Sequence, residues 1–75
     1  MTSLLRSISG DALKLYVAML DCFKAQGRAA AFHAPYREMI RLTGFHSQRV
    51  SEVRRELMRF GLVQQRTRDL WSIYP

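Results

Sequence analysis

Between Ser47 and Arg59 the chain carries Ser47, Gln48, Arg49, Ser51, Glu52, Arg55 and Arg59, interleaved with Val50, Val53 and Leu57. A guanidinium presents a planar fork of donors, and a side-chain amide sets a donor beside an acceptor. Arg49 and Gln48 therefore suit paired hydrogen bonds to a flat polar edge. The hydroxyls of Ser47 and Ser51 add adaptable partners. Glu52 can accept from an amine, brace Arg49 or Arg55, or repel an anion. Arg55 and Arg59 suit contacts to oxyanions, as do Arg37, Arg41, Arg66 and Arg68 outside this stretch. The chemistry within reach is recognition of a polyanion.

Bond-making chemistry is poorly represented. Cys22 lies within an apolar run with no sequence-adjacent His, where a thiol behaves as a small inert hydrophobe. Cys22, His33 and His46 lack metal-site spacing, there is no glycine-rich phosphate loop, and the carboxylates are scattered singly. No enzyme activity, metal or cofactor is expected. Any one of the arginines also reads as ordinary solvated surface, so the polyanion reading rests on the ensemble. Trp71 and the Met residues read as packing, His33 as a connector residue and His46 as a helix cap.

The elements that hold these side chains can be read from the spacing of apolar residues. Gly44 can take the positive φ that ends one helix, and Phe45 turns the chain back toward the core. His46 or Ser47 then caps a second helix over 46–60, whose buried face is Val50, Val53, Leu57 and Phe60 at steps of three and four. Gly61 stops it. Before this pair, Ser9 caps a helix over 9–26 with Asp11 in its first turn. Pro35 opens a short helix over 35–43, with Tyr36, Met39, Ile40 and Thr43 inward and Arg37, Glu38 and Arg41 outward. Residues 29–33 form a connector whose three alanines give little sign of strand. After Gly61, 62–66 and 70–74 read as two strands around Thr67, Arg68 and Asp69.

The first helix has more apolar surface than a small core needs. Its polar stripe is Asp11, Lys14, Ala18, Asp21 and Ala25. Leu13, Tyr16, Val17, Leu20 and Phe23 form one apolar face, and Leu15, Met19 and Cys22 form a second. The surplus is covered either by residues 1–8, as an arm or extra turn carrying Leu4, Leu5 and Ile8, or by another subunit. In the second case Leu15, Met19 and Cys22 are the expected dimer interface.

Composition agrees with one small domain spanning 1–75. Apolar residues make up 48% of the 75, enough for a globular core and too interrupted for a membrane span. Twelve Lys and Arg against six Asp and Glu give +6. Eight of the twelve basic residues lie from Arg37 onward with four acids, a net +4 against +2 for the first half. The charge gathers where the candidate helix is. The N-terminus has no basic leader followed by a long apolar run, and the single cysteine excludes an internal disulfide, which together point to the cytoplasm.

The stretch Thr43, Gly44, Phe45, His46, then Val50, Ser51, Leu57 and Gly61-Leu62-Val63 resembles the recognition-helix half of a winged helix-turn-helix DNA-binding domain. More loosely, the likeness extends from about Ser9 to Tyr74. It implies a mainly α fold with a small β-hairpin, three helices and a wing over 62–74 whose tip carries Arg66 and Arg68. Arg54 departs from the pattern, standing where many members bury a second Leu or Ile. The major groove of duplex DNA admits a helix, with its N-terminal turns nearest the base edges. Ser47, Gln48, Arg49, Ser51 and Glu52 are then the base-contacting set, while Arg37, Arg41, Arg55, Arg59, Arg66 and Arg68 meet phosphates. Expected partners are double-stranded DNA and a second copy of the chain, in a regulator of transcription or replication.

The competing expectation is a protein-interaction module. Small proteins of phages and plasmids use the winged-helix scaffold to bind or inhibit a host protein complex. Glu52 and Glu56 on the recognition helix and the surplus apolar surface of the first helix keep that reading open.

Overall fold

The computed structural model describes residues 8–73. The arm or extra turn expected over 1–8 therefore lies, Ile8 apart, outside the described residues, as does Tyr74. Ile8 itself is buried.

Among the described residues, three helices and a three-stranded antiparallel sheet follow in the order α1 (Gly10–Ala25), β1 (Phe32–His33), α2 (Tyr36–Thr43), α3 (Ser47–Arg59), β2 (Val63–Gln65) and β3 (Leu70–Ile73). The strand order is β1-β3-β2. The expected hairpin is thus one side of a larger sheet, in which the connector, despite its three alanines, supplies a short strand. Phe32 pairs with Trp71 and His33 with Leu70. Two residues are too few for strand periodicity, and a side chain completes the element. The Gln26 amide accepts from the His33 N–H at 2.7 Å and donates to the His33 carbonyl at 2.8 Å. It occupies the place that another strand's backbone would take.

Ser9 caps α1 as its residue type predicts, its Oγ accepting from the Ala12 N–H at 3.1 Å. The cap is also tied across the molecule. Glu56 on α3 accepts from the Ser9 N–H at 2.8 Å and from its hydroxyl at 3.1 Å. Glu56 is therefore a structural clamp between the start of α1 and the last turns of α3, rather than an outward charge.

Between α2 and α3, Gly44 sits at φ 78°, and Thr43 supports the turn: its Oγ1 donates to the Met39 carbonyl at 2.6 Å and accepts from the Phe45 N–H at 3.2 Å. His46 is the cap residue of α3, but its side chain makes no capping bond. Pro35 is the residue before α2 rather than its first position. At the other end of α3, Gly61 N–H bonds to the Met58 carbonyl and Leu62 N–H to that of Leu57, closing the helix with paired reverse bonds.

The core is one cluster. Ala12, Leu15, Met19 and Cys22 of α1 meet Met39 of α2, Val50, Val53 and Leu57 of α3, and Phe32, Val63 and Trp71 of the sheet. This corrects the reading of α1. Leu15 and Met19 are fully buried and Cys22 is nearly so, so these side chains are packed inside the core of a single chain rather than presented as an apolar face. The reason is geometric: Ala12, Leu15, Met19 and Cys22 share one side at steps of three and four, and small Ala12 and Ala18 let the other helices approach closely. Tyr16 and Phe23 flank that core, whereas Leu13 and Val17, half a turn away, are exposed at 43% and 49%. The four-residue loop 66–69 closes without glycine because it demands no positive φ. Among the described residues, Arg28 is the non-glycine residue with φ above zero.

Candidate functional site

The exposed side of α3 begins at its N-terminal turn. Ser47 and Gln48 are exposed and reach solvent at the helix start. Arg49 is directed back toward α1. Its Nε and Nη2 lie 2.9 and 2.8 Å from one carboxylate oxygen of Asp11, and its Nη1 lies 3.3 Å from Glu52. Hydrogen bonding to Asp11, then to Glu52, raises the Arg49 pKa above its ordinary value. The guanidinium is charged and its fork is occupied. Glu52 thus braces Arg49, one of the three roles open to it from sequence.

Ser51 lies half-buried, its hydroxyl hydrogen-bonded to the Tyr36 hydroxyl. The contact locks α2 to α3 and makes Ser51 a positioning residue. One turn further, Arg54 departs most from sequence expectation. It is 5% exposed, and its guanidinium carbon lies 4.4 Å from the centre of the Tyr36 ring and 4.3 Å from that of Trp71. An aromatic pair thus accommodates a cation in a seam position where Leu or Ile was expected. Burial pushes the Arg54 pKa down, with Tyr36 and Asp69 acting in the opposite sense. A desolvated cation–π contact contributes about 2 kcal/mol. Removing a charge from water costs several kcal/mol, so the rings offset only part of the burial.

Arg54 lines a cavity of about 310 Å³ with Tyr36, Ser51, Arg55, Met58, Gln65 and Arg68. Three arginines and no carboxylate form that lining. Arg55 comes from α3 and Arg68 from the loop between β2 and β3, so helix and loop share one cationic face. Both are exposed, as is Arg59. Gln65 donates to the Arg68 carbonyl at 3.1 Å, and Arg66 Nε donates to the Ser72 hydroxyl at 2.9 Å. These bonds brace the loop on its own two strands.

The remaining arginines are grouped differently. Arg37 is exposed on α2. Arg41 is ion-paired with Glu38 three residues earlier, and lies with Cys22, His33 and Glu38 along the groove between α1 and α2. The hydrogen bond to Arg41 holds the Glu38 carboxyl below the usual carboxylate range, and the same bond raises Arg41. Sequence reading missed Tyr36, Arg54 and Trp71 as parts of this site. A charged residue at a seam position of α3 was the signal that could have found them.

Among the described residues, no group of three or more His, Cys, Asp or Glu side chains could hold a metal ion, and no helix is long and apolar enough to cross a membrane. Comparison with protein-family models, with curated proteins and with solved structures finds no match to this chain.

Proposed function

We propose that the chain is a winged helix-turn-helix domain that binds double-stranded DNA, in a cytoplasmic regulator of transcription or replication. The order of helix, strand, two helices and two strands supports the fold assignment. The observation that carries the function is the cationic face formed jointly by α3 and the β2–β3 loop, where Arg54, Arg55 and Arg68 line one cavity without an acid. With α3 in the major groove, Ser47 and Gln48 reach base edges directly, Arg49 does so on exchanging Asp11 for a base, and Glu52 follows Arg49. Arg55, Arg59, Arg66 and Arg68 contact phosphates, with Arg37 at the margin. Arg41 contributes less because it is committed to Glu38.

Selection from a random duplex pool tests the specificity. A defined enriched sequence is expected, with Gln48→Ala relaxing the preference at one or two positions. A pool that stays random contradicts sequence-specific binding.

The domain acts as a homodimer through Leu13 and Val17, in place of the buried residues expected from sequence. These two line a groove of about 380 Å³ with Lys14, Ala18, Asp21 and Leu42. Light scattering that shows only monomer at micromolar concentration removes this part. The same groove favours a second reading, a module that docks on a host protein complex. A stoichiometric protein complex lost on Leu13→Glu and indifferent to Arg55→Gln would establish that reading instead.

A further inference from the structure

The cavity between α3 and the β2–β3 loop is built differently from a surface on which basic residues happen to cluster. Its most buried lining residue is a cation. Arg54 has no ion-pair partner among the described residues, and its Nη1 is buried without a hydrogen-bond partner. Trp71, whose ring packs on the Arg54 guanidinium, leaves its indole N–H unpartnered as well. Both orphaned groups are donors, and of the two residues Arg54 lines the cavity while Trp71 lies behind it. Around Arg54 stand two more cations, Arg55 and Arg68, and neutral polar groups from Tyr36, Ser51 and Gln65. Such a lining lacks one component, an acceptor carrying negative charge.

We infer that this cavity is a binding site for a single phosphate-class oxyanion, with Arg54 beneath it and Arg55 and Arg68 closing over it from the helix and the loop. Tyr36 and Trp71 hold the Arg54 plane in place before the ligand arrives, so little side-chain freedom is lost on binding. The cavity is large enough for a tetrahedral oxyanion with part of its ester. The inference deepens the duplex-binding reading, in which the oxyanion is a backbone phosphate. The same chemistry would accept inorganic phosphate or a phosphomonoester.

Trp71 is the single tryptophan of the chain and reports directly on Arg54. Its emission is followed while inorganic phosphate is titrated at constant ionic strength held with chloride. A saturable change is expected, with half-saturation of about millimolar concentration. Arg68→Gln, on an exposed loop, is expected to raise the half-saturation at least about threefold without altering the fold. Arg54→Met is expected to abolish the response. A signal indistinguishable from the chloride control, or one unchanged in Arg68→Gln, overturns the site.

A short duplex separates the sources. Competition between duplex and phosphate for the Trp71 signal identifies the ligand as a backbone phosphate. Saturation by phosphate with no duplex binding keeps the oxyanion site while removing the DNA reading. Duplex binding that leaves Trp71 emission and phosphate affinity untouched supports the DNA reading and overturns a backbone phosphate as the ligand of this cavity.

Discussion

The guanidinium of Arg49 on α3 closes on a single oxygen of Asp11 on α1, Nε at 2.9 Å and Nη2 at 2.8 Å. The side chain best suited to read a guanine edge is thus held by an intramolecular acid, and base contact requires exchange of one partner for another. Asp11→Asn is expected to tighten duplex binding about threefold by freeing the fork and removing a nearby negative charge. Fluorescence titration against the same duplex measures this, and weaker binding would show that Asp11 positions Arg49 productively.

The clamp from Glu56 to Ser9 joins two elements 47 residues apart in sequence. Glu56→Ala removes an acceptor for two donors at the start of α1, and is expected to lower stability by about 1–2 kcal/mol. Glu56→Gln keeps one carbonyl acceptor and costs less. Urea unfolding of both variants checks the order. Equal stability of wild type and Glu56→Ala would mean that the clamp contributes nothing.

Arg54 predicts an asymmetry between two substitutions. Arg54→Met fills the space between Tyr36 and Trp71 without a charge, so stability stays within about 1 kcal/mol of wild type or rises. Arg54→Ala leaves a void against both rings and costs about 2–4 kcal/mol. Denaturant midpoints that rank Met below Ala would contradict the geometry.

Burial raises the Cys22 thiol pKa, with Glu38 and Asp21 adding to the effect. The folded state therefore retains the thiol proton at pH values where the unfolded chain has lost it. The sign follows: this group lowers stability as pH climbs above the ordinary thiol range, and has no effect at neutral pH. A disulfide reagent at neutral pH is expected to label Cys22 slowly in the native protein and rapidly in urea. Fast native labelling would place the thiol outside the core.

The parts of this fold that were legible in sequence are those fixed by local spacing. Val50, Val53 and Leu57 mark the inner face of α3 by helical period alone, and Gly44 and Gly61 mark its flanks. The α1 faces were not legible. Leu13 and Val17 are as apolar as Leu15 and Met19, and only the three-dimensional approach of α2 and α3 decides which pair is covered. The strand β1 is invisible because its two residues derive their conformation from Trp71, Leu70 and the Gln26 side chain. Glu56 read as a surface charge because sequence shows no partner 47 residues away, and Arg54 stood out at a seam position without any sign of the pair of rings that closes on it.

The measurement closest to the central claim is the anisotropy of a labelled random-sequence duplex titrated with the protein at two salt concentrations. With about six arginines at phosphates, binding is expected at low salt, with affinity falling about a thousandfold between roughly 50 and 200 mM. No binding at low salt, or binding indifferent to salt, would contradict the account and direct attention to the Leu13 and Val17 groove and a protein partner.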